Sequence, residues 1–346
     1  MAFKDTLRDH PALGLIDWVL RGIGQVVFQN NPISGAVILG AIFYNSWVYG
    51  TVCLFGTIIS TLTALWLKAD RELIKNGLFG FNGALVAIGL VAFSSRNFTT
   101  GDTPTLFLWL YLAFAAAFTT ILVAVFAALL GPHKVAGLTM PFVLTGWMLL
   151  AAVLHFSMLE VGPSIKPTSP SDFTGSRPSY SLDTWYHGIA DGIAEIFFQD
   201  NSISGLIILA GIAVNSRISA LMALGGSALA AAIAMLYGAH DDVIKDGLFG
   251  YNAALTAMAL GGFFLVLTVE SLLYTLFGVI VTTWAWAGIA TYLEPSGMPA
   301  FTGPFVLVTW LMLIGQSHFQ TLIPVPPAES ITPEENLRRS RVDQKR

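Results

Sequence analysis

Gln25 and Glu195 occupy matching places in two copies of one phrase, three residues before its first aromatic ring. Phe28-Gln29-Asn30-Asn31-Pro32-Ile33-Ser34-Gly35 recurs as Phe198-Gln199-Asp200-Asn201-Ser202-Ile203-Ser204-Gly205, an offset of 198 − 28 = 170. An amide and a carboxyl placed beside repeated aromatics offer oxygen acceptors next to apolar walls. That combination suits a small, neutral, polar solute. Ionisable groups at membrane depth usually have a functional reason, and Glu195 is the sharpest case in this chain. A catalytic acid would need a second convergent group, and the sequence offers only Gln25 in the equivalent place.

The same offset carries Lys75-Asn76-Gly77-Leu78-Phe79-Gly80-Phe81-Asn82 onto Lys245-Asp246-Gly247-Leu248-Phe249-Gly250-Tyr251-Asn252. Thr139-Met140-Pro141-Phe142-Val143-Leu144 matches Thr302-Gly303-Pro304-Phe305-Val306-Leu307 at a smaller offset, 302 − 139 = 163, which Trp147 and Trp310 and His155 and His318 keep. Apolar bias can align Leu with Leu, but it does not align Gln, Asn, Gly, Pro and His in order. The chain is an internal duplication. Four pairs of candidate site residues follow: Gln25 with Glu195, Phe28 with Phe198, Phe81 with Tyr251, and Thr139 with Thr302, each threonine two residues before a proline.

Elements that can position such pairs must live in a bilayer. The chain is 55% apolar and 11% charged with mean hydropathy +0.69, far from the soluble norm of about one quarter charged. Apolar runs cover 34–48, 51–67, 78–93, 106–130 and 139–156, and a similar series follows from 203 to 319. Several approach the roughly 20 residues that a bilayer core needs. The expected fold is an all-α polytopic membrane protein of two halves, each with about five transmembrane helices and one half-membrane helix. Residues 11–30 carry Asp17, Arg21 and Gln25 and are too polar for an ordinary lipid-facing span. They read as a half-membrane or cavity-lining helix, with an interfacial helix as the alternative. No signal peptide is expected in the first fifteen residues. Cys53 stands alone in an apolar run, which excludes an intrachain disulfide. A net charge of −4 and pI near 5.8 give no reason to expect a nucleic-acid partner.

Basic residues set the orientation. Lys4, Arg8 and Arg21 lie near the start and Arg338, Arg339, Arg341, Lys345 and Arg346 near the end, whereas residues 160–183 hold Lys166 and Arg177 against three acids. Both termini are expected on the cytoplasmic side and the linker outside, which requires an odd number of spans per half and so inverted halves. Residues 68–76 sum to +1 while 240–246 sum to −2, as inversion predicts. The expected organisation is a first inverted repeat over 1–160, an external linker over 161–183, a second inverted repeat over 184–322, and a cytoplasmic tail over 323–346 without fixed structure.

These duplicated phrases resemble the urea transporters, a family shared by bacteria and vertebrate kidney and red cells, from about residue 15 to 319. The resemblance implies a homotrimer in lipid, in which each protomer has its own narrow slot between inverted halves. It implies one urea site at Gln25, Phe28, Phe81 and Leu85, a second at Glu195, Ile196, Phe198, Tyr251 and Leu255, and a constriction at Thr139 and Thr302. Passive, channel-like permeation of urea through a bacterial inner membrane is the expected function, with no enzymatic activity, cofactor or metal. A channel for ammonia, water or another small amide on the same fold is the alternative.

Urea is flat, neutral and rich in N–H donors, so a selective slot needs apolar walls for its faces and acceptor oxygens along its edge. Leaving a buried amide unpaired costs about 2–7 kcal/mol, so each donor leaving water must find an oxygen. A desolvated ion loses far more and regains little. Selectivity of this kind needs no coupling ion. His155 and His318 suggest a two-histidine ammonia path, but they end the last apolar run of each half, and interfacial hydrogen bonding suits them better. Metal-ligand spacing, phosphate-binding glycine loops and nucleophile elbows are absent from the sequence.

Overall fold

The structure, a computed structural model, describes residues 8–10, 13–94, 106–153, 155 and 179–343. The chain divides into two compact units, Met1–Leu129 with Gly137–Ser164 and Leu130–Ala136 with Ile165–Arg346. Among the described residues every regular element is helical.

The first unit runs α1 (Gly14–Gln25), α2 (Pro32–Asn45), α3 (Trp47–Trp66), the short α4 (Arg71–Lys75), α5 (Gly80–Ser94), α6 (Leu106–Leu130) and α7 (Met140–Val153). The second repeats that order as α8 (Leu182–Ala194), α9 (Ser202–Asn215), α10 (Arg217–Leu236), α11 (Asp241–Lys245), α12 (Gly250–Met258), α13 (Val269–Leu293) and α14 (Gly303–Gly315). The bounds of α2, α3 and α4 reappear 170 residues later in α9, α10 and α11, and those of α6 reappear 163 later in α13. The drop of 170 − 163 = 7 falls in the connection after α5, so the first half has the longer link there.

Caps explain where the helices begin. Asn31 accepts from Ile33 N at 3.0 Å just before Pro32, and Asn201 accepts from Ser204 N at 2.9 Å. Ser46 and Ser216 do the same for Tyr49 N and Ser219 N, at 3.3 and 2.9 Å, so the sharp corners from α2 to α3 and from α9 to α10 are capped alike. Four helices among the described residues are long and apolar enough to cross a bilayer: Trp47–Trp66, Leu106–His133, Arg217–Leu236 and Val269–Ser296. A fifth crossing results if Leu182–Phe197 and Ser202–Asn215, bent by 71°, count as one broken span. Five spans were expected in each half; two per half reach that length, and α2, α5 and α7 have 14 or 15 residues, about 21 to 23 Å.

Small residues let these helices approach closely. A Cβ on Gly35 would come within 1.8 Å of the Leu20 carbonyl oxygen, and one on Gly205 within 2.0 Å of the Ala190 carbonyl oxygen. Glycine is therefore obligatory where α1 crosses α2 and where α8 crosses α9.

The tail departs from the sequence reading, which gave residues 323–346 no fixed structure. Leu265 and Pro324 form an isolated antiparallel bridge, and Pro333–Asp343 is a helix, α15. Glu334 of α15 accepts from Ser216 Oγ at 2.8 Å and Ile218 N at 2.9 Å, capping α10, while buried Asn336 donates to the Gly262 and Phe263 carbonyls at 2.9 and 3.0 Å. Those carbonyls are available because the helix following α12 widens into a π-turn over Ala259–Phe263 that breaks at Gly261 and Gly262. Prolines and mixed charge mark the tail as solvent-loving, but the helix breaks and starts it binds lie far away in sequence. Most of the expected linker, residues 161–178, lies outside the described residues.

Candidate functional site

Each half breaks its first helix at the repeated phrase, and the break is held open by a phenylalanine in the left-handed region. Phe28 has φ 63° and Phe198 φ 58°. A residue with a Cβ reaches that region at a cost of about 1–2 kcal/mol, so the surroundings must hold it there. They do so identically. Phe28 N donates to Gln25 O at 3.1 Å and Gln29 N to Gly24 O at 2.9 Å; Phe198 N donates to Glu195 O at 3.1 Å and Gln199 N to Ala194 O at 3.2 Å. The buried amides of Gln29 and Gln199 then turn back to the Val27 and Phe197 carbonyls at 2.7 and 2.6 Å. The glutamines of the phrase are thus braces, and the phenylalanines are the residues the turn presents.

In the first unit, half-buried Gln25 ends α1 and its Nε2 donates to Asn76 O at 2.9 Å, which leaves Oε1 as the acceptor end of the side chain. Below it a buried ion pair joins Arg21 Nε to Asp17 Oδ2 at 2.5 Å, and Arg21 Nη1 reaches the carbonyl and side chain of Asn30 at 3.1 and 2.9 Å. Asn30 Nδ2 donates to Asn76 Oδ1 at 3.2 Å, closing the ring of partners. Phe81 and the fully buried Leu85 stand one turn apart on α5.

The second unit keeps this layout with different side chains. His187 and Asp191 stand where Asp17 and Arg21 stood, their side chains 2.7 Å apart, and Ser202 Oγ lies 3.0 Å from His187 Nδ1. Asp200 and Asp246 replace Asn30 and Asn76. Glu195, half-buried at the end of α8, has Asp191, Asp200 and Asp246 as the charges acting on it. Among the described residues its carboxyl makes no ion pair. Ile196 and Leu255 are fully buried.

Both threonines sit in one turn built twice. Leu138 and Phe301, just before Thr139 and Thr302, have φ 51° and 49°. Asn82 donates to Leu138 O at 3.3 Å and accepts from Phe142 N at 3.0 Å; Asn252 donates to Phe301 O at 3.1 Å and accepts from Phe305 N at 2.9 Å. Each asparagine thereby ties the α5 or α12 aromatic beside it to a threonine turn. In the second unit Tyr251 also donates to Phe301 O at 2.7 Å, and the Phe198 and Phe301 rings meet edge to face at 6.0 Å. Phe198 and Tyr251, expected in one site from sequence, both meet Phe301, the residue before Thr302, within the second unit, and Asn82, beside Phe81, holds Leu138, the residue before Thr139, within the first. His155 and His318 are exposed at the ends of α7 and α14.

Asn82, Asn252, Gln29 and Gln199 were legible as repeated letters but not as braces. The signal was there: an amide duplicated in an apolar chain must have a partner.

A family model described as urea transporter matches residues 16–317 of this chain. The chain belongs to the urea transporter family. Urea transporter 1 of Ovis aries is 34% identical over 339 residues, covering 96% of this chain and 86% of the relative. Urea transporter 1 of Capra hircus is likewise 34% identical and that of Mus musculus 33%, with the same coverage. Within this urea transporter family fold, the broken helix and the threonine turn recur once per half, each with its own asparagine brace.

Outside the apolar helices, α11 is fastened to α8. Asp241 accepts from Thr184 Oγ1 at 2.6 Å and pairs with Lys245 at 2.9 Å, while Lys245 also pairs with Asp183 at 3.0 Å. The Thr184 hydrogen bond, with Lys245 beside it, holds the Asp241 carboxyl below the usual carboxylate range, and the Asp241 bond raises the Lys245 ammonium. In the first unit Lys75 pairs with Asp9 at 2.5 Å, and Arg8 with Glu72. Among the described residues no group of three or more histidine, cysteine or acidic side chains is placed to hold a metal ion.

Proposed function

We propose that this chain lets urea cross a membrane passively, in the manner of a channel. The observation that carries the reading is the duplicated helix break, in which a left-handed phenylalanine follows an oxygen-bearing side chain, Gln25 or Glu195, at the end of a membrane-embedded helix. Urea offers four N–H donors around a flat face. A wall ring with an acceptor beside it matches that shape, and the carbonyls released where each helix stops add further acceptors. One urea-contacting set comprises Gln25, Phe28, Phe81 and Leu85; the other comprises Glu195, Ile196, Phe198, Tyr251 and Leu255. Thr139 and Thr302 line the narrow part.

The protein works as a homotrimer in a bacterial inner membrane with both termini in the cytoplasm, and it catalyses no reaction. Nothing in the arrangement calls for a coupling ion: dehydration excludes charged solutes, and acceptor oxygens compensate urea. Stopped-flow measurement of purified protein in liposomes tests this, comparing urea and acetamide with methylammonium. Fast urea flux is expected; flux no greater than in empty liposomes overturns the reading.

A further inference from the structure

The two threonine turns are alike in backbone but unequal in what holds them. In the first unit Leu138 O accepts from one side chain, Asn82, at 3.3 Å. In the second, Phe301 O accepts both from Asn252 Nδ2 at 3.1 Å and from Tyr251 Oη at 2.7 Å. A carbonyl has two lone pairs, so the Phe301 oxygen is fully taken. The tyrosine is fixed in its turn: its single proton goes to Phe301 O, and Trp286 Nε1 donates to its oxygen at 3.3 Å. Trp286 is wedged edge-on against Phe249 at 4.5 Å, and Phe301 packs edge-on against Phe198. The first unit has Phe81, Val123 and Leu138 at the positions of Tyr251, Trp286 and Phe301, without a hydroxyl or an indole.

We propose that the Tyr251 hydroxyl, as distinct from its ring, has a positioning role: backed by Trp286, it locks the Phe301–Thr302 turn and makes Thr302 the stiffer of the two threonine selectors against urea derivatives bulkier than urea. The proposal rests on the urea-conducting reading above and deepens it. A hydroxyl whose proton is committed to the backbone does not serve as a donor to the urea oxygen. Its contribution is to hold the turn and the Phe198 wall at a fixed spacing, so that the cost of admitting an added methyl group falls on a turn that cannot yield.

Two measurements test this in the full-length protein. Hydrogen exchange should quicken at the amides of residues 301–305 in Tyr251→Phe and stay unchanged at 138–142. In liposomes, the ratio of N-methylurea to urea permeability should rise about fivefold in Tyr251→Phe, the factor that one hydrogen bond typically supplies. Phe81→Tyr, which restores at the equivalent position of the first half the hydroxyl that Tyr251 carries, should lower that ratio and slow exchange at 138–142. Should Tyr251→Phe not fold, Trp286→Phe, which removes the donor to the hydroxyl and part of the ring packed on Phe249, is expected to move exchange and ratio in the same direction. Unaltered exchange at 301–305, or a fall in urea and N-methylurea flux together with no change in ratio, overturns the proposal, the latter marking the hydroxyl as a direct urea contact. Absence of urea flux in the unmodified protein overturns the functional reading instead, and hydrogen exchange still decides the tie.

Discussion

Glu195 and Gln25 show how far one side chain is set by its neighbours. Both end a helix in the same turn, yet Gln25 is anchored through Nε2 to Asn76 O, while the second half carries Asp191, Asp200 and Asp246 where the first has Arg21, Asn30 and Asn76. If Glu195 acts as an acceptor beside a wall ring, Glu195→Gln keeps an oxygen in place and should lower urea flux by no more than about fivefold, the factor that one net hydrogen bond of about 1 kcal/mol supplies, while leaving it measurable. Liposome flux at fixed protein density checks this, and complete loss would mark a role that only a carboxylate can fill. The asparagine braces follow the same logic at higher stakes. Asn252→Leu leaves Phe305 N without its partner in a fully buried place and is expected to cost about 1–3 kcal/mol in stability, readable as a lower unfolding temperature in detergent.

At the scale of elements, close helix crossings and the loop fastenings outside the membrane act separately. Gly35→Ala sets a methyl group against the Leu20 backbone, which cannot move without moving α1, and is expected to destabilise the first half by about 1–3 kcal/mol. The equivalent Gly205→Ala should do the same in the second, whereas Gly40→Ala, with open space around it, should be neutral. Thermal unfolding of the three variants in one detergent distinguishes them. The fastening of α11 to α8 depends on pH in a defined direction. The Asp241 carboxyl is held below its ordinary value of 3.8 by Thr184 and Lys245. Its contribution is therefore fully present above that value and is lost as pH falls through the lower folded value. Proteolysis around α11 should quicken in that acid range in the unmodified protein, and Asp241→Asn should already show the quickened rate at neutral pH.

The described residues form one architectural unit used twice, and α15 is added to the second copy. The second copy carries α15, whose Glu334 caps α10 and whose Asn336 satisfies the carbonyls of the broken helix after α12. Removing residues 333–346 should leave the duplicated helices intact but expose those carbonyls and uncap α10, costing about 1–3 kcal/mol, with hydrogen exchange rising around 216–219 and 262–266. At the same scale, passive permeation predicts that urea flux is indifferent to ion gradients. Collapsing proton and sodium gradients with ionophores should leave the rate unchanged within error, and a gradient-dependent rate would point to a coupled carrier.

Sequence alone determined the membrane-embedded helical class, the duplication and the four residue pairs, because an ordered recurrence of Gln, Asn, Gly, Pro and Thr within an apolar chain has no compositional explanation. The apolar runs came within a few residues of the helix bounds, and the structure adds that Asn31, Ser46 and their counterparts 170 residues on are the caps that set the starts, each acting on its immediate neighbours. What the tertiary structure decided are the relations between distant segments. The left-handed turn at Phe28 and Phe198, the clasp of Asn82 on Leu138 and Asn252 on Phe301, the commitment of the Tyr251 hydroxyl and the docking of α15 all join groups that local sequence does not pair, or hold a backbone state that phenylalanine by itself disfavours. Such bonds exist only once packing has removed water from both partners, and a partner chosen by exclusion of water is not encoded in any short stretch of chain.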